Sequence, residues 1–273
     1  MAKGNILITG ASSGIGLACA RRLAALGYRV FAGVRSEASS QAILAAATGI
    51  TPLILDVCEP SSILDAVGAL GSEPLMGLIN NAGIAAIGSL EMVPVEVWRR
   101  QFEVNVIGLV SVTQACLPKL RSGRGRIVNI GSIAGRSALP GSGAYDSSKF
   151  AVEGISDALR MELQQFGISV SLIEPGAIAT GIWKKTLAEL DKQDSEATPN
   201  LRDLYGDLNQ SIRKEIVESS AHALAPEVVA DAVVHAMTAS RPKTRYVVGR
   251  DAQLSLLLNL LPDRVRDWVI LRG

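Results

Sequence analysis

Short runs of aliphatic and β-branched residues alternate along this chain with longer segments whose apolar positions recur at helical spacing. The short runs, at 5–9, 29–33, 51–56, 77–80, 126–131, 169–174 and 245–248, predict β-strands. They are apolar nearly throughout, as strands buried on both faces are, rather than alternating apolar and polar. The longer segments, at 15–26, 61–70, 95–101, 106–120, 148–166 and 227–239, predict helices. Gly27, Gly125 and Gly167 stand where helices end or strands begin and are read as C-terminal caps. This pattern describes a single α/β domain over 1–273, a doubly wound parallel sheet with helices on both faces. No repeat, low-complexity tract or linker divides it.

One stretch departs from the alternation. Residues 177–225 carry mixed charges, Trp183, Pro199 and helix-like pieces but no strand, which predicts a long insertion before the last strand that serves as a substrate lid. Residues 250–273 form a C-terminal extension. Its apolar run from Leu254 is broken by Ser255 and Asn259 and stops at Pro262, short of the roughly 20 residues that span a bilayer. Because 254–268 mixes apolar residues with Arg264, Arg266 and Asp267, it either packs over a pocket or subunit interface or touches a membrane peripherally.

Charge and composition remove several classes. Lys and Arg number 27 against 26 Asp and Glu, so nothing marks a nucleic-acid partner. The three cysteines, Cys19, Cys58 and Cys116, are widely spaced without a CxxC pair, which suits buried thiols in a reduced compartment and no metal site. His222 and His235 stand outside any ligand pattern. No signal peptide is read at the start of the chain, and a cytoplasmic location is expected.

Candidate chemistry begins directly after the first strand, at Thr9-Gly10-Ala11-Ser12-Ser13-Gly14-Ile15-Gly16. Glycines let a backbone turn tightly against a pyrophosphate, and the N–H groups opening the following helix supply positive potential. Gly10, Ser12, Ser13, Gly14, Ile15 and Gly16 are therefore candidate cofactor contacts. The spacing is not GxGxxG, and no Lys-Ser/Thr ending makes it an ATP-binding loop. Further on, Tyr145 and Lys149 are placed at i and i+4 of one helix face. A phenol, with a pKa near 10, needs a nearby cation to act as a base at neutral pH. Ser132, after a strand end, offers a hydroxyl to a substrate oxygen.

TGxxxGxG, Asn80-Asn81-Ala82-Gly83, Asn105, Ser132, Tyr145-x-x-x-Lys149 and Pro175-Gly176 ending in Thr180 recur in an order that resembles the short-chain dehydrogenase/reductase family over roughly 3–249. The stretch from Tyr145 to Pro175 leans toward the branch containing hydroxysteroid and retinol dehydrogenases. The resemblance implies a Rossmann-type fold and hydride transfer between a nicotinamide and a substrate carbon. Tyr145 would give or take the hydroxyl proton, Lys149 would also bond the nicotinamide ribose, Ser132 would polarise the carbonyl, and Asn105 would bend its helix and hold a relay water. It also implies contacts of Asp56 and Val57 with adenine, of Asn81, Ala82 and Gly83 with the adenosine ribose, and of Pro175, Gly176, Ile178 and Thr180 with the carboxamide. Relatives associate as dimers or tetramers through the helices matching 106–120 and 148–166. Here the second carries Ala151, Gly154 and Ala158, which face either another helix or the sheet.

The end of the second strand offers no carboxylate to a ribose, and Arg35 falls where a basic residue binds a 2′-phosphate, so NADP(H) is preferred and NAD(H) remains open, with Glu37 as the charge that offsets Arg35. Ala134, Leu139, Pro140, Ile182, Trp183 and Leu187 are apolar candidate pocket walls, joining Ser132 and Tyr145, and predict a hydrophobic alcohol or ketone. The alternatives are a reductase of small or acyl-chain ketones and a catalytically silent cofactor-binding regulator.

Overall fold

The computed structural model describes residues 3–46 and 49–271. Positions 1–2, where the signal-peptide reading begins, and 272–273, which end the predicted C-terminal extension, lie outside the described residues. Each predicted run carries a strand: β1 (Asn5–Ile8), β2 (Arg29–Val34), β3 (Ile50–Ile54), β4 (Leu75–Asn80), β5 (Arg126–Ile130), β6 (Ser169–Pro175) and β7 (Arg245–Val248). They pair in parallel in the order β3-β2-β1-β4-β5-β6-β7. The chain reverses its direction of winding between β1 and β4, and a ligand crevice opens at such a point beyond the strand C-termini.

The strand sequences are apolar throughout because both faces are covered. Ile6 and Ile8 join one buried cluster and Leu7 the other, all at 0% exposure. The first cluster is closed by α1 (Gly14–Ala25) and α9 (Pro226–Thr238) through Cys19, Leu23, Val229 and Val233. The second is closed by α3 (Pro60–Ala69) and α5 (Gly108–Gly123) through Ile63, Val112, Cys116 and Leu120. Burial raises the Cys19 and Cys116 thiols to about 12, so both are inert packing groups. His235 is likewise structural, its Nδ1 lying 2.8 Å from the Tyr246 hydroxyl.

Four features differ from the sequence reading. A helix not anticipated, α2 (Glu37–Ala46), follows β2. Gly125 does not supply the left-handed cap of α5: Arg124 does, at φ 46°, and Gly125 is needed because a Cβ there would strike the Leu75 carbonyl. The helix bearing Tyr145 and Lys149, α6 (Gly143–Leu163), begins earlier than predicted, which puts both residues on it. The 177–225 insertion, read as helix-like pieces in a substrate loop, is a pair of full helices, α7 (Ile182–Glu196) and α8 (Pro199–Ala221). Its two ends are pinned side by side, Ala179 N–H donating to Leu224 O at 2.8 Å and Leu224 N–H to Ala177 O at 2.9 Å.

Ala151, Gly154 and Ala158 lie on the outer side of α6, and a Cβ at Gly154 would meet nothing, whereas Val152, Glu153 and Ser156 are buried beneath. The extension forms α10 (Arg250–Leu258) and α11 (Asp263–Ile270), with Leu254, Leu257 and Leu260 exposed. None of the described helices is long and apolar enough to cross a membrane.

Candidate active site

At the switch point the turn after β1 enters α1 through Gly10 (φ 64°) and Gly14 (φ 54°), backbone angles that other residues adopt only with strain. Gly16 has a separate reason: a Cβ there would lie 2.6 Å from Gly10 O and 2.5 Å from the Asn81 amide nitrogen. Ser13 caps α1 without a side-chain bond and the first turn holds no acid, so its amide N–H groups remain available to an anion. Thr9 Oγ1 accepts from Asn81 N–H at 3.0 Å and Ala82 N–H at 2.9 Å, while the Asn81 side chain donates to Thr9 O and Gly10 O, each at 3.0 Å. Asn81 is thus a brace of the glycine turn; its side-chain donors are spent on the protein.

A cleft of about 560 Å³ runs from this turn to the adenosine side, lined by Gly10, Ser12, Ser13, Gly14 and Ile15, then by Arg35, Asp56 and Val57. Asp56 is partly committed, its Oδ1 accepting from Cys58 N–H at 3.0 Å. Glu37 does not pair with Arg35; its carboxylate accepts from Gln41 at 2.7 Å within α2. Pyrophosphate, ribose and adenine all find fitting groups here: a side-chain-free cradle, a cation and a carboxylate. The cleft therefore fits a dinucleotide.

A second cavity of about 330 Å³ adjoins it, sharing Ile15, Asn81, Gly83, Ile84, Thr180 and Ile182. Ser132, Tyr145 and Lys149 line this cavity together with Ala134, Leu139, Pro140, Pro175, Gly176, Ile178 and Trp183, so the predicted residues converge. Leu187 packs just behind, with Trp183 and the Tyr145 ring, against Ile87, Leu190, Ile212 and Ile216. The Trp183 indole is fixed by donating to Ile178 O at 2.7 Å.

Burial acts on the reacting pair in opposite directions. It raises Tyr145, and the Ser132 hydroxyl, hydrogen-bonded to it, pulls it back. It lowers Lys149 to about 8. The Lys149 ammonium donates to Ile130 O at 2.9 Å and sits 5.7 Å from the Tyr145 ring centre. Asp146, next to Tyr145 in the chain, adds to the rise, so Tyr145 is a phenol in the free protein.

Asn105 occupies a π-helical segment, Glu103–Ile107, between α4 (Val95–Phe102) and α5. Its side chain accepts from Ile84 N–H at 2.9 Å and donates to Ile84 O and Ser148 Oγ, each at 3.0 Å. Gln101, one turn earlier and 0% exposed, repeats the clasp on Ala86 N–H, Ile84 O and Ser148. The two amides fasten the strand-end segment to α6 beside Tyr145. Gln101 was missed, although its i−4 relation to Asn105 places both on one face. Also missed were Asp146, which accepts from Leu139 N–H at 2.8 Å, and Asp251 of α10, which accepts from Ala177 N–H at 2.6 Å; both line the cavity. No sequence spacing signals these two contacts.

The signature described as short chain dehydrogenase matches residues 4–191. The chain belongs to the short-chain dehydrogenase family. It is 38% identical to the 17-beta-hydroxysteroid dehydrogenase type 6 of Bos taurus, over 98% of this chain and 88% of that one. It is 36% identical to retinol dehydrogenase 7 of Rattus norvegicus, with the same two coverages. Among solved structures, a short-chain dehydrogenase from Streptomyces avermitilis superposes with a TM-score of 0.79 at 27% identity, covering 98% of this chain and 95% of that one. For a dehydrogenase of this family, the Ser132, Tyr145 and Lys149 cavity beside a dinucleotide-shaped cleft is the candidate active site.

Proposed function

We propose that this chain interconverts an alcohol and a carbonyl on a hydrophobic substrate of steroid or retinoid type, with a nicotinamide dinucleotide, NADP(H) in preference to NAD(H). One observation carries the reading: Ser132, Tyr145 and Lys149 line one cavity, largely apolar, that opens onto the glycine-turn cleft. The bound nicotinamide would supply or accept hydride. Tyr145, a phenol at neutral pH, donates its proton to the carbonyl oxygen during reduction and receives it during oxidation. Ser132 donates a hydrogen bond to the same oxygen as charge develops there. Lys149, largely protonated at pH 7, steadies the phenolate in the state where Tyr145 has given up its proton.

The cavity lining adds a constraint that the sequence alone did not supply. Asp146, Glu215 and Asp251 line the cavity, and no lysine or arginine other than Lys149 does among the described residues. An anionic substrate such as an acyl chain with a free carboxylate is disfavoured, while a neutral apolar alcohol fits. The α7–α8 pair is assigned as the lid, and the outer face of α6, with Ala151, Gly154 and Ala158, as the surface for a homodimer or homotetramer. The start of α10 braces the cofactor side through Asp251; its outward leucines are left for a subunit or lipid surface. A screen of steroid, retinoid and short-chain alcohols and ketones, read by absorbance of the reduced nicotinamide, tests the substrate class. Turnover of the short-chain set alone would overturn it.

A further inference from the structure

The glycine turn after β1 carries no lysine or arginine, so the two charges of a pyrophosphate would meet only backbone N–H groups there. The opposite wall of the cleft is α7. The segment that leads into α7 comes close to the glycine turn: a Cβ on Gly14 would lie 3.0 Å from the Thr180 methyl. Ile182, Lys185, Thr186 and Glu189, at i, i+3, i+4 and i+7, form the stripe of α7 that lines the cleft. Thr186 is buried and donates to Ala85 O at 3.4 Å, which sets the rotation of that stripe.

Among the described residues that line the cleft the cations are Arg35, Arg100 and Lys185, and Lys185 is the one that α7 carries. Its ammonium has no ion-pair partner among the described residues, Glu189 included. The first turn of α7 holds no acid and instead carries Lys184 and Lys185. Two cations at the positive pole of a helix repel it, an arrangement that an anion relieves. Lys184 faces away, into the separate groove between α1 and α7 that holds Arg21.

We propose that Lys185 closes over the pyrophosphate from the side opposite the glycine turn, making the helix that walls the substrate cavity a sensor of cofactor occupancy. The proposal rests on the reading that the cleft takes a nicotinamide dinucleotide, and it holds equally for NAD and NADP. Its consequence follows from packing. Trp183 of the same helix lines the substrate cavity, and Trp183, Leu187 and Tyr145 all pack on one apolar cluster, so drawing α7 onto the phosphates seats the wall of that cavity.

Titration calorimetry with ADP-ribose, NAD and NADP on wild type, Lys185→Gln, Lys185→Arg and Lys184→Gln tests this. Hydrogen exchange over 182–196 with ADP-ribose alone supplies a second readout. Lys185→Gln weakens all three ligands about tenfold, a charge-assisted contact to phosphate lost. Lys185→Arg restores most of that affinity, and Lys184→Gln changes it little. ADP-ribose protects the α7 amides in wild type and fails to do so in Lys185→Gln. Wild-type affinity in Lys185→Gln, equal losses in Lys184→Gln, or protection that survives the substitution overturns the proposal while the dinucleotide reading stands. Failure of wild type to bind any of the three ligands overturns both.

Discussion

Tyr145 and Lys149 are four residues apart on one helix, yet burial drives the phenol up and the ammonium down, so each resists the ionised form that catalysis uses. The cavity therefore holds a neutral phenol beside an ammonium that gives up its proton near pH 8. Their neighbour Asp146 shows the same physics with a measurable sign. Burial, opposed by its bond from Leu139 and reinforced by Glu215, raises its carboxyl from 3.8 to about 7. The fold therefore keeps a proton that the unfolded chain loses, and this group's contribution to stability falls as pH rises from 3.8 to about 7, then stays level. Asn at this position still accepts from Leu139. Asp146→Asn is expected to gain thermal stability over wild type progressively between pH 5 and 7, and melting curves across that range check it; a pH-independent difference would show ordinary ionisation. Arg35 makes a second residue-scale case, since Glu37 is engaged with Gln41 and leaves its charge uncompensated. Arg35→Asp should move the NADPH-to-NADH ratio of kcat/KM toward NADH by roughly ten- to a hundredfold. A wild type that already prefers NADH refutes the cofactor assignment.

Elements were legible in proportion to their burial. Strands such as Ile6-Leu7-Ile8 lie between two helical layers and must be apolar at every position, a pattern visible without structure. The α2 segment, rich in Ala and Ser with Ile43 its one buried aliphatic side chain among the described residues, presents no comparable stripe and was not seen. The start of α6 was hidden by its Gly-Ser-Gly lead, and α7 and α8 by charges that serve their solvent side. What spacing never shows is cross-chain bonding: Asn105 and Gln101 to Ile84 and Ser148, or Asp251 to Ala177. The helix pair α7–α8 also has its own small apolar cluster, around Ile87, Leu190, Ile212 and Ile216, apart from the two large clusters on the sheet. Its ends meet at the Ile178 and Leu224 bridge. Such a unit opens more easily than the sheet. Amide exchange over 182–221 is expected to be fast without ligand and to slow when NADPH and a competitive substrate analogue are added together. Slow exchange throughout, ligand or none, would mean a permanently fixed pair.

The fold's contribution to function is convergence. Strands β1, β4, β5 and β6 end at the same side of one sheet, so the glycine turn, the Asn81 brace, Ser132 and the Pro175-Gly176 turn arrive together although they are far apart in sequence. Helix α6 then crosses beneath with Tyr145 and Lys149, and α7 covers them. Ser132, Tyr145 and Lys149 were readable as candidates because their types and order are shared by the family, whereas the acidic lining of the cavity, from Asp146, Glu215 and Asp251, emerged only when distant segments met. If this assembly is a dehydrogenase site, its chemistry hangs on one proton and its cofactor binding does not. The most direct test is turnover and NADPH affinity measured side by side in wild type and Tyr145→Phe, with an apolar ketone that wild type reduces. Loss of turnover by at least about a hundredfold, with NADPH affinity within a few-fold, is the expected result. Near-native turnover in Tyr145→Phe would contradict the account.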